Sequence, residues 1–231
     1  MRWEPTPIVA MQPRRRPQPF GWLQKKDSRV PESAQALLVL ACGALAHEIQ
    51  YLKNLNHWSH MEIQCLDAEL HNRPWMIAGK LKKKIEQNRG HFERIFVAYA
   101  DCGSSGQIDK LLSEEGIERL PGAHCYSAFA GEHAFLLMSQ REPASFYLTD
   151  FLARHFDRLV IKGLKLDSHP ELRSTFFGNY RKVVYLSQTN DRSLMQLAAS
   201  AAKFLEVDFE HVHCGYGDVE TALRAQIIAV G

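Results

Sequence analysis

The stretch IFVAYADCGSSGQIDKLLSEEG at 95–116 sets the fold. Its first five residues, 95–99, are an apolar run without polar alternation, the signature of a strand covered on both faces. A glycine- and serine-rich turn follows, and 108–115 then reads as a helix. The same unit recurs outward from here. Residues 36–41 (ALLVLA) form a buried-type strand followed by a helix at 43–55. A second strand at 62–66 precedes a helix at 73–87, with Lys80, Lys82, Lys83 and Lys84 near its solvated face. A short strand at 117–120, a helix at 128–139, a strand at 183–187 (VVYLS), a helix at 193–205, a last strand at 211–213 and a closing helix at 218–228 complete the pattern.

Strands alternating with helices predict an α/β fold: a mainly parallel, Rossmann-like sheet with helices on both faces. Strands beginning near Leu37, Ile63, Ile95 and Val183 are expected as neighbours in one sheet. The alternation lapses between Ser145 and Tyr180, where Phe146, Tyr147, Phe151, Phe156, Phe176, Phe177 and Tyr180 crowd. This segment is expected to be an aromatic-rich insert of helices and loops forming a cap. No internal repeat is visible. Residues 34–231 read as a single domain, within the size range of one core.

Residues 1–33 differ from the rest. They hold six of the ten prolines and the run Arg14-Arg15-Arg16, which predicts a flexible basic leader. Within 1–30, seven basic residues face only Glu4 and Asp27, a net of +5, so the +2 of the whole chain leaves −3 for the remainder. A body of that sign argues against nucleic acid as a partner, although the leader itself suits an acidic partner or RNA. No secretory signal is readable, and no apolar run approaches the roughly 20 residues that span a bilayer. A cytoplasmic setting is expected, in which the five widely spaced cysteines stay reduced and serve as free thiols, metal ligands or a nucleophile.

In an open parallel sheet, ligands bind outside the carboxyl ends of the strands. Cys42 follows the first strand, and His71 follows the second after a short extension. Asp101-Cys102-Gly103 follows the third, and His124-Cys125 lies just beyond the fourth. Three thiolates with His124 or His71 as a fourth ligand suit zinc, as tetrahedral Cys₃His, or an iron–sulfur cluster. There is no C-x-x-C, H-x-x-x-H or H-E-x-x-H, so the expectation rests on convergence in space. Gly103, Ser104, Ser105 and Gly106 open a helix and could aim amides at an anionic ligand, or could simply build a turn. Asp101 would orient a ligand or shuttle a proton. Cys65, inside the second strand, reads as a small buried hydrophobe. Cys214 is left outside the site. A second polar cluster, Thr149, Asp150, Arg154, His155, Asp157, Asp167, His169 and Glu171, could bind a polar substrate or hold the cap closed.

The blocks ACGALAHEI at 41–49, LHNRP at 70–74, AYADCGSSGQID at 98–109 and GAHCY at 122–126 resemble one known family. So do FYLTDFLARHFD at 146–157, GLKLDSHPEL at 163–172, FGNYRKVVYLSQTND at 177–191 and GYGDVE at 215–220. The family is catalogued as domain of unknown function 1638, and the resemblance covers about residues 36–223. It implies a place beside corrinoid-dependent methyltransferases in methyl-group or one-carbon metabolism, with a corrinoid protein or methyltransferase as partner. Three functions are therefore expected as alternatives. The first is a metal-dependent enzyme or accessory protein acting on a small-molecule substrate in that chemistry. The second is an iron–sulfur electron-transfer or reductive-activation protein. The third is a non-catalytic binding module for a corrinoid protein or small anion.

Overall fold

The computed structural model of the chain describes residues 35–230, and the leader at 1–33 lies outside them. Within that range the protein is α/β and every strand pairing is parallel. The strands form two sheets. The first contains β1 (Gln35–Cys42), β2 (Met61–Leu66), β3 (Phe92–Ala98) and β4 (Glu118–Arg119), in the order β2-β1-β3-β4. Between them run α1 (Ala46–Leu55), α2 (Ile77–Asn88) and α3 (Gln107–Glu115). Residues Leu37 to Ala41 of β1 are wholly buried, which is why that strand is apolar at successive positions rather than alternate ones. The chain leaves β1 toward β2, then crosses back to place β3 on the other side of β1. A crevice opens at such a reversal of direction, outside the carboxyl ends of the two strands.

Two short helices, α4 (Cys125–Ala130) and α5 (Glu132–Arg141), lead to the second sheet. It contains β5 (Ser145–Leu148), β6 (Lys182–Ser187) and β7 (Asp208–His213), in the order β5-β6-β7. The connections hold α6 (Asp150–Arg154), a π-type turn (Asp157–Lys162), α7 (Leu172–Phe177) and α8 (Arg192–Leu205). Central strand β6 sends Val183 and Tyr185 into one apolar cluster and Val184 and Leu186 into another, so both faces of this sheet are covered. Finally α9 (Gly217–Ile228) returns to the first lobe, where Val219 and Leu223 join Ala128 and Phe129 in its core.

The expected single sheet is thus corrected to two. The strand at Val183 is the centre of the second sheet and not a neighbour of β1 and β3. The reason lies in residues 145–148, read from sequence as the start of the cap. They are the edge strand that pairs Ser145 with Lys182, and only after them does the segment run as helices and loops. The aromatics do gather, Phe146 against Phe177 at 5.2 Å and against Tyr180 at 5.5 Å. The helix expected at 128–139 is broken at Gly131, whose φ of 82° a residue with a side chain rarely adopts. No helix among the described residues is long and apolar enough to cross a membrane.

At the seam between the lobes sit two buried carboxyls. Asp150 accepts four hydrogen bonds, from Tyr185 Oη (2.7 Å), Gln188 N (3.0 Å), Thr189 N (3.0 Å) and Thr189 Oγ1 (2.6 Å). It thereby ties the end of β5 to the end of β6. Glu48 on α1 is 2% exposed, and its Oε2 has no hydrogen-bond partner among the described residues. Burial raises the Glu48 carboxyl to about 7, with the Asp150 carboxylate adding to the shift and Arg154 opposing it. The folded protein therefore holds a proton that the unfolded chain releases above 4.5. By linkage, the stability from protonated Glu48 is complete below 4.5 and is lost as pH rises through about 7. Glu48→Gln keeps the shape and cannot ionise. Thermal melts across this window should show a fall for the native chain and a flatter profile for the variant, the gap reaching about 3 kcal/mol above neutrality. Identical profiles would contradict this reading of the seam.

Candidate functional site

A cavity of about 380 Å³ opens between the lobes at the carboxyl ends of the first sheet. One wall is thiol and imidazole: His71, Cys102, His124 and Cys125, with Ala44 and Tyr126. The other is largely apolar and comes from the second lobe: Phe146, Phe151, Leu152, Val160, Leu164 and Phe177, with Thr149. A pocket of this size with an apolar body and a few polar groups is typical of small-molecule sites.

Local structure aims each group on the polar wall. Cys42 ends β1 and caps the 3₁₀ turn Gly43–Leu45, its sulfur accepting from Ala44 N at 3.3 Å. Gly43 is required there, because a Cβ would lie 2.9 Å from Leu66 O and 3.1 Å from Ala68 N. After β2, Asp67 caps the 3₁₀ turn Ala68–Asn72 by accepting from Glu69 N at 2.9 Å, and this turn carries His71. His71 Nδ1 lies 3.0 Å from Ala68 O. A carbonyl can only accept, so Nδ1 bears a proton. The Cys42 sulfur is 3.8 Å from the same Nδ1.

Cys102 is set by the backbone. Asp101 N donates to Gly122 O (3.2 Å) and Cys102 N to Ala123 O (2.8 Å), stitching the loop after β3 to the segment that leads into α4. Arg119 holds that segment, donating through Nη1 to Leu120 O (2.6 Å) and Gly122 O (3.1 Å) while its other nitrogens grip Asp109. Cys102 itself is held at φ 50°, a left-handed conformation costing a non-glycine residue about 1–3 kcal/mol. The stitch carries Cys102 to the rim where Cys125 begins α4.

The electrostatics show that these groups share one neighbourhood. Burial pushes the Cys42 thiol up to about 11. Burial also pushes Cys125 well up, and negative charge on Cys102 or Cys42 would raise it further. His71 is raised chiefly by the Cys102 sulfur beside its ring, against the opposing effect of burial. Among the described residues, no three His, Cys, Asp or Glu side chains close on a single point as a metal ion requires.

The structure thus places His71, Cys102 and Cys125 on the cavity wall, while Cys42 is buried and outside that wall, its sulfur 3.8 Å from His71 Nδ1. His124 lines the same cavity, but its ring packs edge-on against Phe135 at 5.7 Å and Tyr126 at 6.4 Å. The loop 103–106 departs from an anion cradle. Asp101 accepts from Ser104 Oγ (2.7 Å) and Gly106 N (2.9 Å), and Ser104 N bonds to Asp101 O (2.9 Å). Those amides face inward, and Asp101 serves as the loop's internal cap; Gly103 and Ser105 lie in the same turn. The Asp101 carboxyl is held below its ordinary range, first by the Ser104 hydroxyl and then by backbone amides. Cys65 is exposed rather than buried, because β2 is an edge strand. Cys214 stays outside the site, donating to Ser187 O at 3.3 Å. Tyr99, one residue beyond β3, escapes a reading of sequence alone. Only the strand register shows that it lies next to Cys42.

A family model described as "Protein of unknown function (DUF1638)" matches residues 65–223. The chain belongs to this family. The match takes in His71, Tyr99, Cys102, His124 and Cys125, while Cys42 and Glu48 precede it. No curated protein and no solved structure matches the chain.

Because Asp101 organises the loop that presents Cys102, Asp101→Ala should destabilise the fold by about 1–2 kcal/mol in denaturant unfolding. The contribution is present above the ordinary carboxylate range and fades as pH falls below it, since the folded carboxyl is the stronger acid. An unchanged midpoint would mean that the loop holds without it.

Proposed function

We propose that the cleft holds a soft metal centre, an iron–sulfur cluster in preference to zinc, with Cys42, Cys102 and Cys125 as thiolate ligands and His71 beside them. The observation that carries the reading is the state of His71. A metal-binding imidazole commonly donates its second N–H to a carbonyl or carboxylate, which orients the ring. His71 makes such a contact to Ala68 O, with the Cys42 sulfur 3.8 Å away and Cys102 at its ring. The donor set also fits. Among the described residues no three of these side chains close on one point, so a cluster, which binds its cysteines over a wider span than a single zinc ion, asks for the smaller rearrangement. Zinc would require the side chains to rotate inward.

A centre there would supply electron transfer or Lewis acidity at the mouth of the apolar cavity. The chain's part is to exclude water with Phe146, Phe151 and Phe177 and to fix the ligands by the stitch at Gly122 and Ala123. The family resemblance favours a metal-dependent enzyme, or an accessory protein to one, in corrinoid-linked methyl-group metabolism with a small apolar-bodied substrate.

The test is anaerobic loading of the full chain with ferrous iron and sulfide, or with zinc alone, followed by metal and sulfide analysis. Serine at Cys42, Cys102 or Cys125 should each abolish stable loading, while Cys65→Ser and Cys214→Ser should load as the native chain does. Since burial holds the Cys42 and Cys125 thiols protonated well above neutrality, loading must release protons and should tighten as pH rises. Equal loading by all five variants would overturn the assignment.

A further inference from the structure

A second cavity, of about 600 Å³, meets the cleft at the turn Ala68–Asn72. Its lining is basic: Arg73 and, from α2, Lys80, Lys83 and Lys84. The three lysines recur at i, i+3 and i+4, which sets them on one side of the helix, while Ile77, Leu81 and Ile85 are buried on the other.

Local stability does not explain this clustering. Like charges so spaced repel, and Lys80, in the first turn of α2, opposes the helix dipole. Among the described residues, none of the four cations is in an ion pair. Lys84 Nζ donates only to the neutral Gln64 Oε1 (3.4 Å), an amide that buried Asn88 holds at 3.0 and 3.1 Å. The acids in the lining are engaged elsewhere: Asp67 accepts from Glu69 N, and Glu69 lies 3.5 Å from Arg158. Positive charge gathered on a body of net −3 makes a local field, and a concave wall focuses it.

The position of the groove says which kind of anion it suits. Glu69 and Asn72 line both the groove and the cleft, so one short turn is the partition and a single ligand can reach across it. Nucleic acid needs an extended basic track, whereas this lining is confined to a cavity of small-molecule size. We propose that the groove is the anion subsite of the cleft's own ligand. It takes a multiply charged phosphate end, such as a diphosphate, while the apolar body of the same molecule lies against Phe151 and Leu152 in the cleft. The lysine ammonium groups supply charge, and the Arg73 guanidinium supplies the planar fork that phosphate oxygens match. The proposal rests on the cleft being a small-molecule site and on no metal within it.

The test titrates the full-length chain calorimetrically, in metal-free buffer, with inorganic diphosphate and with octyl diphosphate. Octyl diphosphate should bind about tenfold or more tightly than inorganic diphosphate, because its chain buries apolar surface in the cleft. Changing Lys80→Gln, Lys83→Gln and Lys84→Gln together keeps good helix formers in α2 and should weaken both probes about tenfold or more. In the native chain either probe should slow alkylation of the exposed Cys65, which lines the groove. Undiminished binding by the triple variant, or loss only when Arg14, Arg15 and Arg16 are changed to glutamine, would place the anion outside the groove and overturn the proposal. Equal affinity for the two probes would separate the groove from the cleft and overturn it as well. Metal loading uses none of these lysines, so the triple variant should load as the native chain does, and a failed metal assignment leaves the diphosphate results unchanged.

Discussion

Parallel pairing of β1 with both of its neighbours is the constraint on which the site depends. Because β1 runs beside β2 and β3 in the same direction, all three chains leave the sheet at one edge. Whatever follows each strand is brought to that edge: Cys42 after β1, His71 after β2, Cys102 after β3. An antiparallel neighbour would send one of these groups to the far side of the lobe. The cost of the arrangement is that β1 must be buried on both faces, and the five fully buried residues Leu37 to Ala41 meet it. The ends of β5 and β6 are joined in turn by Asp150, whose four accepted hydrogen bonds make that corner of the second lobe stiff.

The two walls of the cleft have different characters for this reason. The first lobe supplies polar, polarisable atoms from loops at strand ends, where side chains can be aimed without disturbing the core. The second lobe supplies aromatic and aliphatic bulk from β5, its helices and the turn after them. Between them the Cys102 loop carries strain, with the thiol on a left-handed residue and Asp101 satisfying the amides around it. Strain of this kind persists only where neighbouring bonds over-determine the backbone, and the pairings to Gly122 and Ala123 do so.

The local units of the fold were legible in the sequence, because a run such as ALLVLA or IFVAY is apolar without alternation only when both faces are covered. The second sheet was not. β5 is four residues long and its partner begins thirty-odd residues later, so nothing near Phe146 distinguishes an edge strand from a helical insert. At the site, the strand-end rule pointed from residue type and position to His71, Cys102, His124 and Cys125, which line the cavity, and to Cys42, which is buried. It could not choose between His71 and His124, since that choice depends on which ring finds a carbonyl and which packs on Phe135. It misjudged Cys65, because sequence does not say which strand is at an edge. Glycines and serines at 103–106 suit both an anion cradle and a self-capped turn, and only the direction of the Asp101 carboxylate separates them. Glu48 gives no sequence signal, because a missing hydrogen-bond partner is a property of packing.

The central claim is that the sulfurs at the cleft rim bind a metal. X-ray absorption at the metal edge, on the full chain loaded anaerobically with iron and sulfide or with zinc, examines that shell of atoms directly. The account predicts a first shell dominated by sulfur at about 2.3 Å. A shell of oxygen and nitrogen alone would contradict it.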